Sequence, residues 1–246
     1  KEQDVLLSGM LQAAFNNKFR LETASLKADL SEGEIVIPNV YNAPLNVKGA
    51  TLDVYLNRPE NTLTLNRFDA IVQDIPVNVI ADGSIERGHI HLPVVATIKE
   101  VFVEDLQKML PENEKDSSIG EWLSLRLKDG TMSNVLFTTE VDIRRDQETK
   151  ERSVTTDNSK MTFNFTDLTV RYSDTLMPVT KGQGQGTYEN DSLIIEGETG
   201  LIKDVTGKNI TVKMTDLSVE GGGKAYITMD ASGPLSTALE YVSDEP

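Results

Sequence analysis

The stretch Val135-Leu136-Phe137-Thr138-Thr139-Glu140-Val141-Asp142-Ile143 carries the pattern that decides the fold. Apolar side chains recur at every second position, so Val135, Phe137, Val141 and Ile143 share one face of an extended strand. The alternation returns at 161–165 and 225–231, and in shorter runs at 51–56, 62–65, 76–80, 89–95 and 210–214. Many short strands of this kind predict an antiparallel meander.

Residues typical of turns separate these runs. The predicted turns are Glu32-Gly33, Asn57-Arg58-Pro59, Asp82-Gly83, Asp129-Gly130 and Gly221-Gly222-Gly223. The polar segment 144–160 predicts a solvated loop or an exposed hairpin. The glycine-rich segment Gly182–Gly186 predicts a flexible strand edge or a bulge, because it lacks the residues that complete a phosphate-binding loop.

Helical periodicity is confined to a few short segments. Three helices are predicted, at Val103–Leu110 before Pro111, at Ser118–Leu127 around Trp122, and at Pro234–Val242, where proline suits a helix start. The segment Asp4–Phe15 fits either a helix or a twisted strand.

The two halves of the chain resemble each other. Residues 44–49 match 178–182, residues 61–65 match 191–195, and the helix around Leu106 matches the helix around Leu239. These matches follow one another at a nearly constant spacing, which indicates an internal repeat of about 130 residues. The predicted units are residues 1–111, a β repeat ending in a short helix, and residues 112–246, a second repeat with the Trp-containing helix and a closing helix.

Composition excludes several classes of function. The net charge of −15 opposes nucleic-acid binding, which needs clustered basic side chains, and opposes docking on anionic lipid headgroups. The absence of cysteine excludes disulfides and thiolate chemistry. No apolar run is long enough to cross a bilayer, and no signal peptide opens the sequence. The chain is therefore expected to be either cytosolic or preceded by a targeting segment outside this sequence.

Side chains suited to catalysis are scarce. His89 and His91 project from one face of a predicted strand, and a carboxylate such as Glu86 would have to complete a zinc site with them. The simpler interpretation places both histidines on the wet face of an amphipathic strand. No nucleophile motif, phosphate loop or metal motif is present, so the sequence predicts a protein that is not an enzyme and has no cofactor or metal.

The apolar faces of the strands need a cover that three short helices cannot provide. Either the sheet closes on itself as a sandwich or barrel, which packed β cores generally favour, or part of its apolar face binds an apolar ligand. The alternation by itself leaves both possibilities open.

The order of features in the second half resembles the AsmA-like proteins of Gram-negative envelopes. The similarity is greatest to the YhdP branch, and TamB is a more distant relative. It rests on motifs over roughly residues 100–246, and on residues 20–100 only through the repeat. The motifs are Glu121–Ser133, Met161–Tyr172 with Met177-Pro178, Lys181–Thr187 and Ser232–Val242.

This resemblance implies an extended, twisted antiparallel sheet that forms a β half-pipe with an apolar groove. Such a groove shields phospholipid acyl chains in transit between the inner and outer membranes. It also implies a periplasmic location, with an inner-membrane anchor in a segment absent from this sequence. The expected groove-lining side chains are those of the alternating strands: Val135, Phe137, Val141, Ile143, Phe163, Phe165, Ile210, Val212, Ile227 and Met229.

Two other functions remain open. One is a scaffold that receives unfolded outer-membrane proteins by pairing strand edges, as proposed for TamB-like proteins. The other is a closed β-sandwich that serves as a binding module.

Overall fold

The computed structural model describes residues 6–35, 44–86, 88–109, 124, 126–145, 152–171, 176–217 and 224–243. These residues form fourteen strands and two short helices. The first seven strands are β1 Leu7–Phe15, β2 Leu21–Leu30, β3 Gly33–Ile35, β4 Leu45–Asn57, β5 Thr62–Val72, β6 Ile75–Glu86 and β7 His89–Phe102. The next seven are β8 Leu127–Lys128, β9 Thr131–Arg145, β10 Arg152–Val170, β11 Val179–Glu189, β12 Ser192–Ile202, β13 Val205–Thr215 and β14 Lys224–Ser232. The helices are α1 Val103–Gln107 and α2 Leu235–Ser243.

The strands form one antiparallel sheet in the order β1-β2-β4-β5-β6-β7-β9-β10-β11-β12-β13-β14, with β3 on β4 and β8 on β10. Apart from the short strands β3 and β8, strands that follow each other in the chain are thus neighbours in the sheet. Short connections dictate this order, because tight turns join antiparallel strands whereas parallel strands need long crossovers. The prediction of a mostly β chain with an extended antiparallel sheet and a few short helices is confirmed.

Strands β1 and β14 stand at the two ends of this order, and each has one neighbour among the described strands. Closure into a barrel, one of the two forms of self-closure considered, is therefore wrong for the described strands, whereas closure as a sandwich stays a prediction. Each successive hairpin places its next strand at the outer edge of the sheet, and no described strand pairs β1 with β14.

Two of the three predicted helices are confirmed, as α1 and α2. The segment Asp4–Phe15, which fitted a helix or a strand, contains β1. Most of the predicted helix Ser118–Leu127, including Trp122, lies outside the described residues. Its predicted end is wrong, because Leu127 opens the short strand β8 and is paired with Val170.

The turn at Asn57-Arg58-Pro59 is confirmed between β4 and β5, and the turn at Asp129-Gly130 between β8 and β9. Asp82-Gly83 is wrongly predicted as a turn, because both residues lie inside β6. Glycine is needed there for close approach of the neighbouring strand, since a Cβ at Gly83 would overlap the carbonyl oxygen of His91. Gly33 belongs to β3, and Gly221–Gly223 lies outside the described residues.

For the polar segment 144–160 and the glycine-rich segment Gly182–Gly186, the structure decides between the two predicted alternatives. Segment 144–160 is an exposed hairpin as far as it is described, because β9 runs to Arg145 and β10 begins at Arg152. Gly182–Gly186 lies in β11, between β10 and β12 in the sheet order, so the strand-edge alternative is wrong. The register of β11 against β12 shifts between Thr180 and Gly184, which confirms the bulge.

Several irregularities in the strands fall on asparagine and aspartate in the left-handed region of φ. Asn134 has φ 51° within β9, and Asn209 has φ 49° at a register shift between β13 and β14. Asparagine tolerates this conformation better than most residues with a Cβ. At Asn134 the strict two-residue alternation is interrupted, since Met132 and Val135 are both buried although they are three residues apart.

The chain divides into two compact units. The first comprises residues 1–37, 43–98 and 136–160, and the second comprises 38–42, 99–135 and 161–246. Strands β7, β9 and β10 contribute residues to both units. The sequence-based division into repeats at 1–111 and 112–246 stays a prediction, since residues 110–123 lie outside the described ranges.

The core of the first unit lies on β4 and β5. Val47, Ala50 and Ala70 are buried, with Leu30, Phe68 and Val72 packed against them. Cross-strand pairing accounts for this cluster, because Val47 is opposite Val72 and Ala50 is opposite Ala70.

The core of the second unit includes Leu127, Met132 and Leu168, which are almost completely buried. Gly130, at φ 77°, lies against Leu168, and a Cβ there would lie 2.8 Å from the Cα of Leu168. Helix α1 is joined to this region by hydrogen bonds. The Gln107 side chain donates to the Leu127 carbonyl at 3.1 Å, and the Asp129 amide donates to Glu104 at 2.7 Å.

Leu168→Ala is expected to lower the free energy of unfolding by about 2–5 kcal/mol, since the side chain is 0% exposed and truncation leaves a cavity. Leu235→Ala is the matched control, because Leu235 is 73% exposed and its truncation should cost less than about 1 kcal/mol. Urea denaturation of both variants measures the difference. Similar losses in the two variants would contradict this placement of the core.

Candidate functional site

The apolar face of the second unit is built from cross-strand rows of side chains. In β12, Leu193, Ile195 and Gly197 are buried and alternate with exposed residues. One row runs from Gly186 through Ile195 and Val212 to Ile227, each opposite the next on neighbouring strands. Because side chains directly opposite each other share a face, this row lines one side of the sheet.

Glycines make room for large side chains on this face. A Cβ at Gly186 would overlap the ring of Phe163, so the phenyl ring lies directly over that glycine. A Cβ at Gly200 would lie 2.7 Å from Val179 Cγ1, and one at Gly207 would lie 3.2 Å from Ile210 Cδ1. The glycines therefore leave space on this face, and neighbouring aliphatic and aromatic side chains occupy it.

Apolar side chains of this face line a trough that is partly open to solvent and encloses about 40 Å³ of free space. Among its described lining residues, Thr199 alone has a polar side chain. The lining residues are Phe165, Val170, Val179, Gly182, Ile195, Gly197, Thr199, Ile210, Val212, Met214, Ile227 and Met229. Ile227 is 37% exposed and therefore gives solvent access to the trough.

Polar side chains project from the intervening positions of the same strands. Gln185 donates a hydrogen bond to Glu196 at 2.6 Å, Gln183 donates to Glu198 at 3.3 Å, and Asn209 donates to Asp230 at 2.7 Å. The sheet of this unit thus has one polar face and one apolar face, the arrangement typical of an antiparallel sheet with one wet side.

The predicted lining residues fall into both units. Phe165, Ile210, Val212, Ile227 and Met229 line the trough of the second unit. Phe163 is buried beside Phe165, with ring centroids 6.3 Å apart, and Val135 is buried in the same unit. The remaining three, Phe137, Val141 and Ile143, are half-buried in the first unit. A lipid-binding role stays a prediction for all ten.

Four apolar lining residues escaped the sequence prediction, namely Val170, Val179, Ile195 and Met214. Ile195 and Met214 do carry an alternation signal, because each lies two residues from another apolar side chain on its strand. Val170 and Val179 end and begin their strands, where alternation is too short to be recognised.

His89 and His91 meet an aspartate rather than the Glu86 considered from the sequence. His89 Nε2 is paired with Asp142 Oδ1, and His91 Nδ1 lies 3.4 Å from Asp142 Oδ2. Both histidines are half-buried, and Asp142 reaches them from β9. Within the described residues, no group of three or more potential ligands has the geometry to hold a metal ion.

The hydrogen bond from His89 lowers the pKa of the Asp142 carboxyl below its ordinary value. Partial burial acts in the opposite direction, and the hydrogen bond from His91 adds to the lowering. The cluster therefore holds Asp142 in its charged form and ties β9 to β7 in the first unit.

The YhdP protein family matches residues 7–246. The chain belongs to this family. No curated protein and no solved structure matches the chain. The YhdP family is a family of envelope proteins and is not a known enzyme family. Within the described residues, no helix is both long enough and apolar enough to cross a membrane.

The Asp142 interaction predicts a loss of stability in acid. A carboxyl whose pKa is lower in the folded than in the unfolded state stabilises the fold above the unfolded value of about 4. That contribution disappears as the pH falls through the lowered folded pKa. Asp142→Asn should therefore flatten the decline in stability below about pH 4.

Urea midpoints measured from neutral pH into the acid range check this expectation. Asp167→Asn is the control, because Asp167 is exposed and its left-handed backbone suits asparagine equally well. An unchanged acid profile in Asp142→Asn would contradict the assigned role of the cluster.

Proposed function

We propose that this chain is a periplasmic segment of an envelope bridge protein that shields phospholipid acyl chains during transport between the inner and outer membranes. The observation that carries the proposal is the apolar trough of the second unit, in which eleven of twelve lining residues lack a polar side chain. Membership of the YhdP family supports it. The full-length protein is proposed to be anchored in the inner membrane.

The chemistry of the trough suits acyl chains. Burial of each CH₂ group gains about 0.8 kcal/mol, so a continuous aliphatic surface lowers the cost of carrying a lipid tail through water. Of the lining residues that the structure describes, Thr199 alone is polar, and none carries a charge that would fix a lipid at one position. Weak, unspecific contacts favour movement along a surface over tight storage in one place.

This function requires no chemical step, and we infer that the segment is not an enzyme. No titratable residue lines the trough in the part of the chain that the structure describes. The histidine–aspartate cluster is in the other unit and is occupied by its own hydrogen bonds. Both features favour a conduit or binding surface over catalysis.

Purified protein is expected to carry phospholipid, which lipid extraction and native mass spectrometry detect directly. It should also bind an uncharged fluorescent acylglycerol, a probe that reports acyl-chain contacts alone. Protein that is free of lipid and also fails to bind the probe would overturn the proposal.

Ile227→Gln should weaken binding of the acylglycerol about three- to tenfold, because a polar amide replaces aliphatic surface at the trough. Ile194→Gln is the matched control. Ile194 has the same residue type and the same 37% exposure, but it lies at an outward position of β12, beside trough residue Ile195. Equal effects of the two substitutions on binding would exclude the trough as the lipid site.

A second candidate function is a scaffold for outer-membrane protein assembly, and strand β1 favours it. This strand has one described neighbour, β2, so one of its edges offers backbone groups for pairing. All of its residues are exposed, and they include Leu7, Met10, Leu11 and Phe15. Unfolded apolar strands can add to such an edge.

A photo-crosslinker at Met10 distinguishes the two candidates. The scaffold function predicts crosslinks to outer-membrane proteins in cells, whereas the lipid function predicts none above those from a crosslinker at the buried position Ala28. A crosslinker at Ile227 gives the complementary result, because lipid adducts are expected there only for the transport function.

A further inference from the structure

The turn between β1 and β2 is held in one conformation by its own hydrogen bonds. Asn16 Oδ1 accepts hydrogen bonds from the amide of Lys18 at 2.9 Å and from the amide of Arg20 at 3.0 Å. The Asn16 amide donates to the Arg20 carbonyl at 3.0 Å, and the Phe19 amide donates to the Asn16 carbonyl at 2.9 Å. The side chain of Phe19 therefore projects from a backbone that is fixed on both sides of it.

Phe19 is exceptional in both conformation and exposure. Its φ is 54°, and the other described residues with a Cβ in the left-handed region are asparagine, aspartate, glutamine or lysine. It is also 90% exposed, more than any other large apolar residue in the described part of the chain. A bulky side chain costs conformational energy at positive φ, and an exposed ring gains nothing from burial. Since neither feature stabilises the free chain, the position points to a function.

Two cations flank this ring in a stretch of sequence that is otherwise uncharged. Between residues 5 and 21 the charged side chains are those of Lys18 and Arg20, and both residues are exposed. Strand β1 leads into the turn through Phe15, which is 59% exposed. The nearest carboxylate along the chain is that of Glu22 on β2. The turn thus combines positive charge with exposed aromatic surface in a chain whose net charge is −15.

We propose that this turn inserts into the surface of a phospholipid membrane, with the Phe19 ring among the acyl chains and Lys18 and Arg20 at the headgroup phosphates. A rigid apolar ring gains free energy when it leaves water for the acyl region. The long cationic side chains reach from that depth to the headgroups, where ammonium and guanidinium groups both bind phosphate oxygens. Cations on both sides of one aromatic ring match a continuous layer of phosphates above an apolar interior.

The negative charge of the whole chain does not prevent this contact. At physiological ionic strength exposed charges are largely screened beyond about 8 Å, so the side chains nearest to the membrane dominate. The net charge is summed over all residues and therefore conceals the two cations of the turn. The inference goes beyond the proposed function, because it assigns a membrane contact to the first unit, whereas the trough belongs to the second.

Vesicles of phosphatidylcholine and phosphatidylglycerol in equal parts test the proposal on the whole chain. Because the chain has no cysteine, Asn17→Cys supplies a single thiol for a polarity-sensitive dye at the turn. Its emission should shift to shorter wavelength when vesicles are added. The control is Asn190→Cys in the exposed turn between β11 and β12, where Glu189 and Asp191 are the neighbours. Equal shifts at the two turns, or no shift at the first, would overturn the proposal.

Phe19→Gly separates membrane binding from folding. Glycine relieves the positive φ, so the urea midpoint should be retained or raised, whereas sedimentation with vesicles should become at least about fivefold weaker. Phe102→Gly is the matched control, because Phe102 is 61% exposed and is flanked at two positions' distance by Glu100 and Glu104. It should bind vesicles as the unmodified chain does. Unchanged vesicle binding in Phe19→Gly would contradict the insertion of the ring.

The double variant Lys18→Gln, Arg20→Gln tests the headgroup contacts. It should sediment with the vesicles at least about fivefold more weakly, because each cation loses its attraction to the anionic surface. The control variant Lys208→Gln, Lys213→Gln removes the same charge from exposed positions of the second unit and should bind normally. Equal losses in the two double variants would reduce the effect to net charge and overturn the proposal.

Binding of the uncharged fluorescent acylglycerol keeps this inference apart from the proposed function. Phe19→Gly should bind that probe normally, and Ile227→Gln should bind vesicles normally. Loss of the Phe19 effect with an intact Ile227 effect overturns this inference alone, and the reverse result overturns the acyl-chain proposal alone.

A photo-crosslinker at Asn17 tests the contact in cells. Lipid adducts are expected there, and they should be absent from a crosslinker at Asn190. Protein adducts without lipid adducts at Asn17 would identify a protein partner for the turn and overturn the membrane contact.

Discussion

The constraint on which the second unit depends is the alternation of buried and exposed side chains along its strands, which gives its sheet one apolar face. An antiparallel sheet with alternating side chains has a dry face, and water at that face costs free energy in proportion to the apolar area. Part of this apolar area is buried within the sheet itself, because glycines leave space in which Phe163 and Ile210 pack against the strands. The remaining apolar area includes the lining of the trough, where Ile227 is 37% exposed.

Much of this architecture follows from local sequence patterns. The alternation in β9 and β14 and the proline before α2 depend on neighbouring residues alone, so they predict elements correctly. The bulge in β11 is equally local, because a run of glycines weakens regular pairing. Asp82-Gly83 illustrates the limit of such patterns, since the same two residues suit a turn or a close approach between strands, and the position of β7 decides between them.

The trough and the histidine–aspartate cluster were harder to predict, because both depend on the register between paired strands. Alternation identifies which side chains share a face, and five predicted residues do meet in one trough. Alternation does not predict that Asp142 contacts His89 and His91. Asp142 is about fifty positions from them in sequence, and strand pairing alone makes them neighbours.

The glycine beneath Phe163 has a consequence for how this surface can vary. Substitution of one aliphatic trough residue by another of similar volume costs little stability, because such a lining requires only apolar volume. Gly186 has no such freedom, because any side chain would displace the ring above it. Gly186 does not line the trough, but it lies on the same face, opposite the trough residue Ile195. The aliphatic lining can therefore vary over evolutionary time, whereas this glycine, and with it the position of the Phe163 ring, is held fixed.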